Sequence, residues 1–281
     1  MIRKIIYIIT AFAVIFSTFY VAVVPDVGRL KKKNPGKTSL MEYREKEWRK
    51  AGKKRQIFQV WTPISTMSPY LVKAVIIAED DKFYSHEGFD YEAIQEALEK
   101  NIKAGRFRAG GSTITQQLAK NLYLTPEKSF LRKVKEALIT WRLEEDISKR
   151  RILEVYLNVA EWGEGVFGAE AASLAYFGKP SSELTSMEAA RLVSVLPNPR
   201  RYNPAGDQQF VLKRSEIVYE IMVKRGIVIP EFEEVTAEAP EAEETPSLTP
   251  PIDKAAPLST TTGRETVGKD EDTATPPALK D

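Results

Sequence analysis

Apolar residues between positions 56 and 229 recur mainly at the spacing of helices. Asp90 can cap one such helix at its start, and Gly105 follows its end. Within it, apolar side chains at i, i+3, i+4 and i+8 share one helix face: Ile94, Ala97, Leu98 and Ile102. Further helix starts are indicated by polar caps at Ser112 or Thr113, Thr125 followed by Pro126, Ser148, and Thr185 with Glu188.

The same region gives little sign of strands. Residues 69–79 form an apolar run that predicts another helix, and strand character is limited to a possible short piece at 56–61. Amphipathic helices over this length can bury one sizeable core. We therefore predict a mainly α fold with one folded domain at residues 56–229.

The N-terminal residues carry a separate signal. Residues 5–24 are 20 consecutive uncharged side chains, about the length that crosses a bilayer core of roughly 30 Å as a helix. A cleaved signal peptide is the alternative, but the run offers no convincing small-x-small cleavage site. We expect an uncleaved transmembrane anchor at residues 1–24. Basic residues flank it on both sides, so charge counting does not decide its orientation.

Charge divides the remainder of the chain. Residues 230–281 contain eight prolines and 13 acidic against four basic side chains, so we expect a disordered acidic tail. Removing its net −9 from the total of +2 leaves +11 on residues 1–229, which suits phosphates or anionic lipid headgroups. Residues 29–55 alone hold 12 basic side chains against three glutamates. We expect a basic juxtamembrane linker at residues 25–55, with an ordinary solvated linker as the alternative.

Glu79 is the first candidate for acid–base chemistry. It ends an apolar helix, and desolvation at the apolar edge of a cleft raises the pKa of a carboxyl group, as a general base requires. The alternative is a solvated helix end. His86 is the only histidine and the chain has no cysteine, which excludes multi-histidine and thiolate metal sites. We expect His86 to make structural hydrogen bonds.

A glycine-rich segment at residues 110–117, GGSTITQQ, joins a loop to a helix start. Free N–H groups and the positive helix end there can bind phosphate. The segment lacks the Gly-Lys-Ser/Thr of a P-loop, so nucleotide binding is not indicated. Lys120 lies two turns beyond Thr113 on the same face, and both can address one ligand. A capped helix with a solvated lysine is the alternative.

Arg132, Lys133 and Glu136 form a further cluster. Arg132 and Glu136 are i, i+4 neighbours, and an exposed pair of this kind is usually a surface salt bridge worth about 0.3–0.5 kcal/mol. In the functional alternative, the two cations neutralise a departing pyrophosphate while the carboxylate holds them in place.

These clusters belong to a series of blocks that resembles the peptidoglycan glycosyltransferases, which occur as a domain of class A penicillin-binding proteins and as stand-alone enzymes. The similarity runs from about residue 60 to residue 204. Five blocks carry it in order: EDDKFYSHEGFD at 79–90, GGSTITQQLAKNL at 110–122, RKVKE with LE at 132–136 and 143–144, RILEVYLN at 151–158, and the GA, YFGK, EAA, LPNP and YNP pieces of 168–204. Five blocks in register are very specific. Thr140 stands where the third block commonly has alanine, which puts no catalytic residue in doubt.

The resemblance implies a mainly helical, lysozyme-like domain of two lobes, the smaller one facing the membrane, behind one N-terminal transmembrane helix. It places the catalytic domain at the outer, periplasmic face of the bacterial inner membrane, which resolves the orientation. The substrate would be lipid II. Its sugars would be joined into glycan strands for the cell wall, with inversion at the anomeric carbon and release of undecaprenyl pyrophosphate.

Site roles follow from the same resemblance. Glu79 would be the catalytic base that takes the proton from the acceptor 4-hydroxyl, and Glu136 would be the second catalytic carboxylate. Substrate-binding residues would be Lys120, Arg132 and Lys133 at the donor pyrophosphate, with Gly110, Thr113 and Gln117 lining the donor site; Glu154 and Asn158 would organise the helices. No metal held by protein ligands is expected, although Mg²⁺ or Mn²⁺ assists some family members, bound partly by substrate phosphates.

Two other functions remain alternatives. A lysozyme-like lytic enzyme would not need the cluster between residues 110 and 136, and a membrane-tethered scaffold would need no chemistry. Expected partners are lipid II, the growing glycan, the membrane and other cell-wall synthesis proteins, with no nucleic acid. The chain lacks the Ser-x-x-Lys motif of a transpeptidase domain, which predicts a monofunctional enzyme.

Overall fold

The computed structural model describes residues 3–7, 10, 24–105, 110–127 and 129–229. This part of the chain is mainly helical, which confirms the predicted class. The α-helices are α1 (Ser39–Lys50), α2 (Pro69–Glu79), α3 (Tyr91–Ala104), α4 (Ile114–Tyr123), α5 (Phe130–Asp146), α6 (Lys149–Val159), α7 (Ala169–Phe177), α8 (Ser186–Ser194) and α9 (Gln209–Lys224). Short 3-10 helices lie at Gly28–Lys31, Ile64–Thr66 and Ser181–Glu183.

Two predicted segments lie outside this description. The tail at residues 230–281 falls entirely outside the described residues, and the anchor at residues 1–24 does so for the most part. Among the residues that are described, none of the helices combines the length and the apolar character needed to cross a membrane.

Most helix ends follow the predicted caps. The Asp90 carboxylate accepts a hydrogen bond from the Ala93 N–H at 2.9 Å, and Gly105 closes α3 in the left-handed conformation. Thr113, Ser148 and Thr185 are the N-caps of α4, α6 and α8.

The start of α5 was predicted wrongly at Thr125 and Pro126. The helix begins at Phe130 instead, because the hydroxyl of Ser129 caps it by accepting the Arg132 N–H at 3.1 Å. Thr125 and Ser129 are both good N-cap residues, and the local sequence does not decide between them.

A small sheet supplements the helices. Its strands are β1 (Phe58–Gln59), β2 (Glu161–Gly163) and β3 (Val166–Phe167), in the order β1-β3-β2. β1 pairs parallel to β3, and β2 antiparallel. β1 confirms the predicted piece at 56–61. The hairpin was not predicted because two and three residues are too few to show alternation.

The core joins two groups of helices. α2 packs against α8 and α9, and α4 packs against α5 and α6. Fully buried side chains at the centre include Leu71 and Val75 of α2, Leu118 of α4, and Leu157 of α6. These contacts place the end of α2 beside the start of α4, where the candidate site lies.

Residues 25–55 differ from the basic linker that was predicted there. Met41 and Trp48 of α1 are only 1% and 2% exposed, and Arg44 pairs with Glu161 of β2 at 2.8 Å. The high basic content masked these few apolar positions. Part of this segment is therefore packed into the folded body.

The apolar face of α3 is mostly uncovered by the described residues. Ala97 is buried, but Ile94, Leu98 and Ile102 are 39%, 59% and 70% exposed. The prediction of a helix with these side chains on one face was correct, but most of that face does not pack into the core. An exposed apolar stripe of this kind is typical of a surface that meets a partner or a membrane.

The packing of α1 predicts a large stability effect at Trp48. Trp48→Ala should lower the free energy of unfolding by about 3–5 kcal/mol, because it leaves a cavity in the core. Lys50→Ala, on the exposed side of the same helix, should change it by less than about 0.5 kcal/mol. Urea unfolding followed by circular dichroism measures both variants. Equal midpoints for the two would show that α1 does not belong to the cooperative fold.

Candidate active site

Glu79 lies at the C-terminal end of α2 with a side chain that is only 11% exposed. One carboxylate oxygen, Oε2, accepts a hydrogen bond from Gln117 Nε2 at 2.9 Å. The other, Oε1, lies 3.4 Å from Nη2 of Arg214 on α9. Arg214 also donates to the Ala78 carbonyl at 3.1 Å, so it closes the end of α2 from the opposite side.

The surroundings of Glu79 make its carboxylate more basic than that of an exposed glutamate. Burial raises the pKa of Glu79, while the Gln117 hydrogen bond and the charges of Arg214 and Lys120 oppose the shift. The net direction is upward. A carboxylate with a raised pKa is a stronger base than one in water, and the alternative of a solvated helix end does not describe it.

Asp80 fixes the position of the neighbouring loop. Its Oδ2 accepts the Ile114 N–H at 2.9 Å, and its Oδ1 lies 2.8 Å from His86 Nε2. His86 Nδ1 accepts the Gly88 N–H at 3.1 Å, so the proton of the neutral ring lies on Nε2 and is donated to Asp80. The expected structural role of His86 is confirmed.

Tyr156 of α6 sets the orientation of Gln117. The tyrosine is fully buried, and its hydroxyl donates to Gln117 Oε1 at 3.0 Å. Burial, followed by the nearby charges of Glu79 and Asp80, raises the pKa of Tyr156 well above its ordinary value, so the hydroxyl keeps its proton. With Oε1 held in this way, the amide presents its NH₂ group to Glu79.

Glu136 of α5 is buried rather than part of an exposed pair. It is 3% exposed, and its two oxygens bind Arg132 Nη1 at 2.7 Å and Lys133 Nζ. The ion pair predicted at i, i+4 is therefore confirmed, but in a desolvated setting. The carboxylate holds both cations in place.

Lys120 faces the same cluster. Burial lowers its pKa, with Glu136 opposing the shift and Arg132 and Lys133 adding to it. Within the described part of the chain, no carboxylate lies within ion-pair distance of its ammonium group. A partly buried cation without a counter-ion is suited to binding an anionic ligand.

Cationic side chains of the site line a cavity of about 330 Å³. Gln117, Lys120 and Arg132 line it, together with Arg44 of α1. Glu79 lines a neighbouring cavity of about 440 Å³. Gln117 connects the two, since it borders the first and donates to Glu79.

The remaining predicted residues lie around these cavities. Gly110 and Thr113 line the Glu79 cavity, and Gly110 also borders an open cleft of about 820 Å³ with Arg132 and Lys133. Thr113 is engaged in structure, because its hydroxyl donates to the Gly88 carbonyl at 2.7 Å and caps α4. Seven of the eight predicted residues therefore line one of these cavities, and the eighth, buried Glu136, pairs with two of them, Arg132 and Lys133.

Sequence reasoning missed Arg214 and Tyr156. Arg214 lies 135 positions from Glu79, beyond the last recognised block, and nothing local marks it. Tyr156 falls within the recognised RILEVYLN block, and a buried tyrosine in a helix usually needs a hydroxyl partner, which was the available signal.

The described residues contain no group of three or more histidine, cysteine, aspartate or glutamate side chains arranged to hold a metal ion. Both oxygens of Glu136 are engaged by cations, so the donor set beside Lys120 does not fit a metal held by the protein.

Comparison with known proteins identifies the family. A family model described as Transglycosylase matches residues 45–223. The Biosynthetic peptidoglycan transglycosylase of Dechloromonas aromatica (strain RCB) is 53% identical over 185 residues, covering 66% of this chain and 80% of that protein. The protein of the same name from Laribacter hongkongensis (strain HLHK9) is 40% identical over 222 residues, covering 79% and 97%. The chain belongs to the transglycosylase family.

Proposed function

We propose that this protein polymerises lipid II into the glycan strands of peptidoglycan by inverting glycosyl transfer. The observation that carries the proposal is a buried carboxylate, Glu79, separated by Gln117 from a cationic cavity at Lys120 and Arg132. Inverting transfer needs a base at the acceptor hydroxyl and charge stabilisation at the leaving group. The cavity at Glu79 provides the base, and the cavity at Lys120 and Arg132 provides the positive charge for the leaving group, with the side chain of Gln117 between them.

The reaction at Glu79 is a single displacement. The acceptor 4-hydroxyl oxygen forms a bond to the donor anomeric carbon while Glu79 takes the hydroxyl proton. The bond from that carbon to the pyrophosphate oxygen breaks, and its electron pair leaves with undecaprenyl pyrophosphate. Arg214 and the Gln117 amide keep the carboxylate ionised until the proton arrives.

The leaving group would develop charge beside Lys120, Arg132 and Lys133. Among the described residues, Glu136 is the one carboxylate that pairs with Arg132 and Lys133, and none pairs with Lys120, which leaves an excess of positive charge for the pyrophosphate. Because Glu136 is buried, its hydrogen bonds hold the cations before substrate binds, and little reorganisation is needed during the reaction. A divalent cation that enters with the pyrophosphate would be held mainly by the substrate.

The proposal includes attachment to the outer face of the inner membrane through residues 5–24. Its support is the uncharged run in the sequence and the uncovered apolar side chains near the open cleft. Phe130 and Leu131 are 82% and 68% exposed, next to the exposed stripe of α3. A lipid-linked substrate would reach the cleft from this side, and other cell-wall synthesis proteins would meet the enzyme there.

Incubation of the purified full-length protein with lipid II in detergent tests this function. Glycan resolved by length should show polymer. Shortened glycan from a preformed strand would indicate the lytic alternative, and unchanged substrate would indicate a scaffold.

Glu79→Gln should lower the polymerisation rate by at least about 10²-fold, because the amide keeps the shape but cannot accept the proton. Glu87→Gln is the matched control, since Glu87 is an exposed glutamate on the adjoining loop. Its rate should match wild type. Retention of more than about a tenth of the wild-type rate in Glu79→Gln would contradict the base assignment.

Arg214→Gln should move the acidic limb of the pH–rate profile to higher pH. Arg214 lowers the pKa of Glu79, so its removal raises that pKa further, and more alkaline solution is then needed to ionise the base. Arg225→Gln, which breaks an exposed pair with Asp81, should leave the limb in place. An unchanged limb in Arg214→Gln would show that the guanidinium does not act on Glu79.

Tyr156→Phe should lower kcat by about 5–10-fold, the scale of one hydrogen bond that positions Gln117. Tyr176→Phe is the control, because it also removes a tyrosine hydroxyl, but one that donates to a backbone carbonyl, that of Trp162, and not to Gln117. Thermal denaturation and turnover are measured on both. An equal loss of turnover in the two variants would mean that Tyr156 acts only through stability.

A further inference from the structure

A separate polar cavity lies between the segment after the apolar N-terminal run and the end of α4. Its volume is about 260 Å³. Residues 26–38 contribute most of its lining, and Leu122 and Tyr123 close it from α4. None of the residues assigned to the catalytic cluster borders it.

The wall of this cavity is held firmly in place. Leu30 is 5% exposed and belongs to the main core. Arg151 of α6 donates to the Leu30 carbonyl at 2.8 Å, to the Lys33 carbonyl at 3.1 Å and to Asn34 Oδ1 at 2.8 Å. The segment is therefore a preformed wall, which lowers the ordering cost of binding a ligand.

Three cations line the cavity, and two of them are paired with carboxylates of the described residues. Lys37 pairs with Glu45 at 2.8 Å, and Arg29 lies 3.5 Å from Asp26. Lys33 forms no ion pair with any residue that the structure describes. Its charge is available to an anion.

Tyr123 adds a neutral donor. Among the described residues its hydroxyl has no hydrogen-bond partner. Burial raises the pKa of Tyr123 to about 12, with Arg29 opposing and Asp26 adding to the shift. The phenol therefore stays protonated and can donate to an anionic oxygen. Phosphate oxygens can accept hydrogen bonds from a lysine, an arginine and a hydroxyl group together.

The position along the chain identifies the source of such a phosphate. Asp26, at the edge of the cavity, follows the last residue of the uncharged run at position 24 by two residues. If residues 5–24 span the membrane as proposed, a cavity so close to the end of the run would lie at the level of the lipid headgroups, where anionic lipids attract basic side chains.

We propose that this cavity binds the headgroup phosphate of an anionic phospholipid through Lys33, Arg29 and the hydroxyl of Tyr123. The assignment rests on the proposed membrane attachment and not on the proposed chemistry at Glu79. It differs from diffuse attraction to a charged surface, because it requires one lysine and one uncharged donor in a single cavity.

Native mass spectrometry of the full-length protein in a neutral detergent provides the test. Short-chain phosphatidylglycerol is titrated against phosphatidylcholine of the same chain length, and inorganic phosphate is the third ligand. Retention of phosphatidylglycerol at least about tenfold above phosphatidylcholine supports the proposal. Equal retention of the two lipids overturns it, and so does displacement of phosphatidylglycerol by inorganic phosphate at equal concentration.

Substitutions distinguish binding in this cavity from non-specific attraction by the net charge of the protein. Lys33→Glu should reduce phosphatidylglycerol retention by at least about tenfold, and Tyr123→Phe by about threefold or more with no change in charge. Lys224→Glu makes the same charge reversal at an exposed lysine of α9 and should have little effect. Equal losses in Lys33→Glu and Lys224→Glu would overturn the site. Because retention is measured without turnover, this result is independent of whether lipid II is polymerised.

Discussion

The hydrogen bonds of the Asp80 carboxylate join the two segments on which the site is built. One oxygen binds the first N–H of α4 and the other binds His86, so the end of α2 is fixed against the start of α4. Gln117, one turn into α4, consequently reaches Glu79 at 2.9 Å. A buried carboxylate that lost either partner would be left partly unsatisfied, which disfavours other arrangements of these helices.

The site depends on two buried carboxylates with opposite surroundings. Glu136 is bound by two cations, and in the proposed reaction it would serve as a fixed counter-charge on the leaving-group side. Glu79 has one amide donor and a more distant guanidinium, so burial dominates and raises its pKa. When the surroundings of two carboxylates shift their pKa values apart, one can act as a base while the other stays ionised and holds nearby cations in place.

The sequence predicted what is encoded locally. Asp90 and Thr113 cap the expected helices because capping depends on a residue and its next three neighbours. Arg214 and Tyr156 were missed because their contacts cross the fold, and single-sequence patterns carry no information on such distances. The burial of Trp48 was missed for a related reason: one tryptophan among many basic residues shows no periodicity, and its ring lies against Gly165, in the distant turn between β2 and β3.

The central claim is that burial raises the pKa of Glu79 and so makes it a stronger base than an exposed glutamate, and infrared difference spectroscopy tests this claim most directly. The protonated-carboxyl band of the wild type, with the spectrum of Glu79→Gln subtracted, isolates this one side chain across a pH titration. The account predicts a midpoint clearly above the ordinary glutamate pKa of about 4.3. A midpoint at or below that value would contradict it.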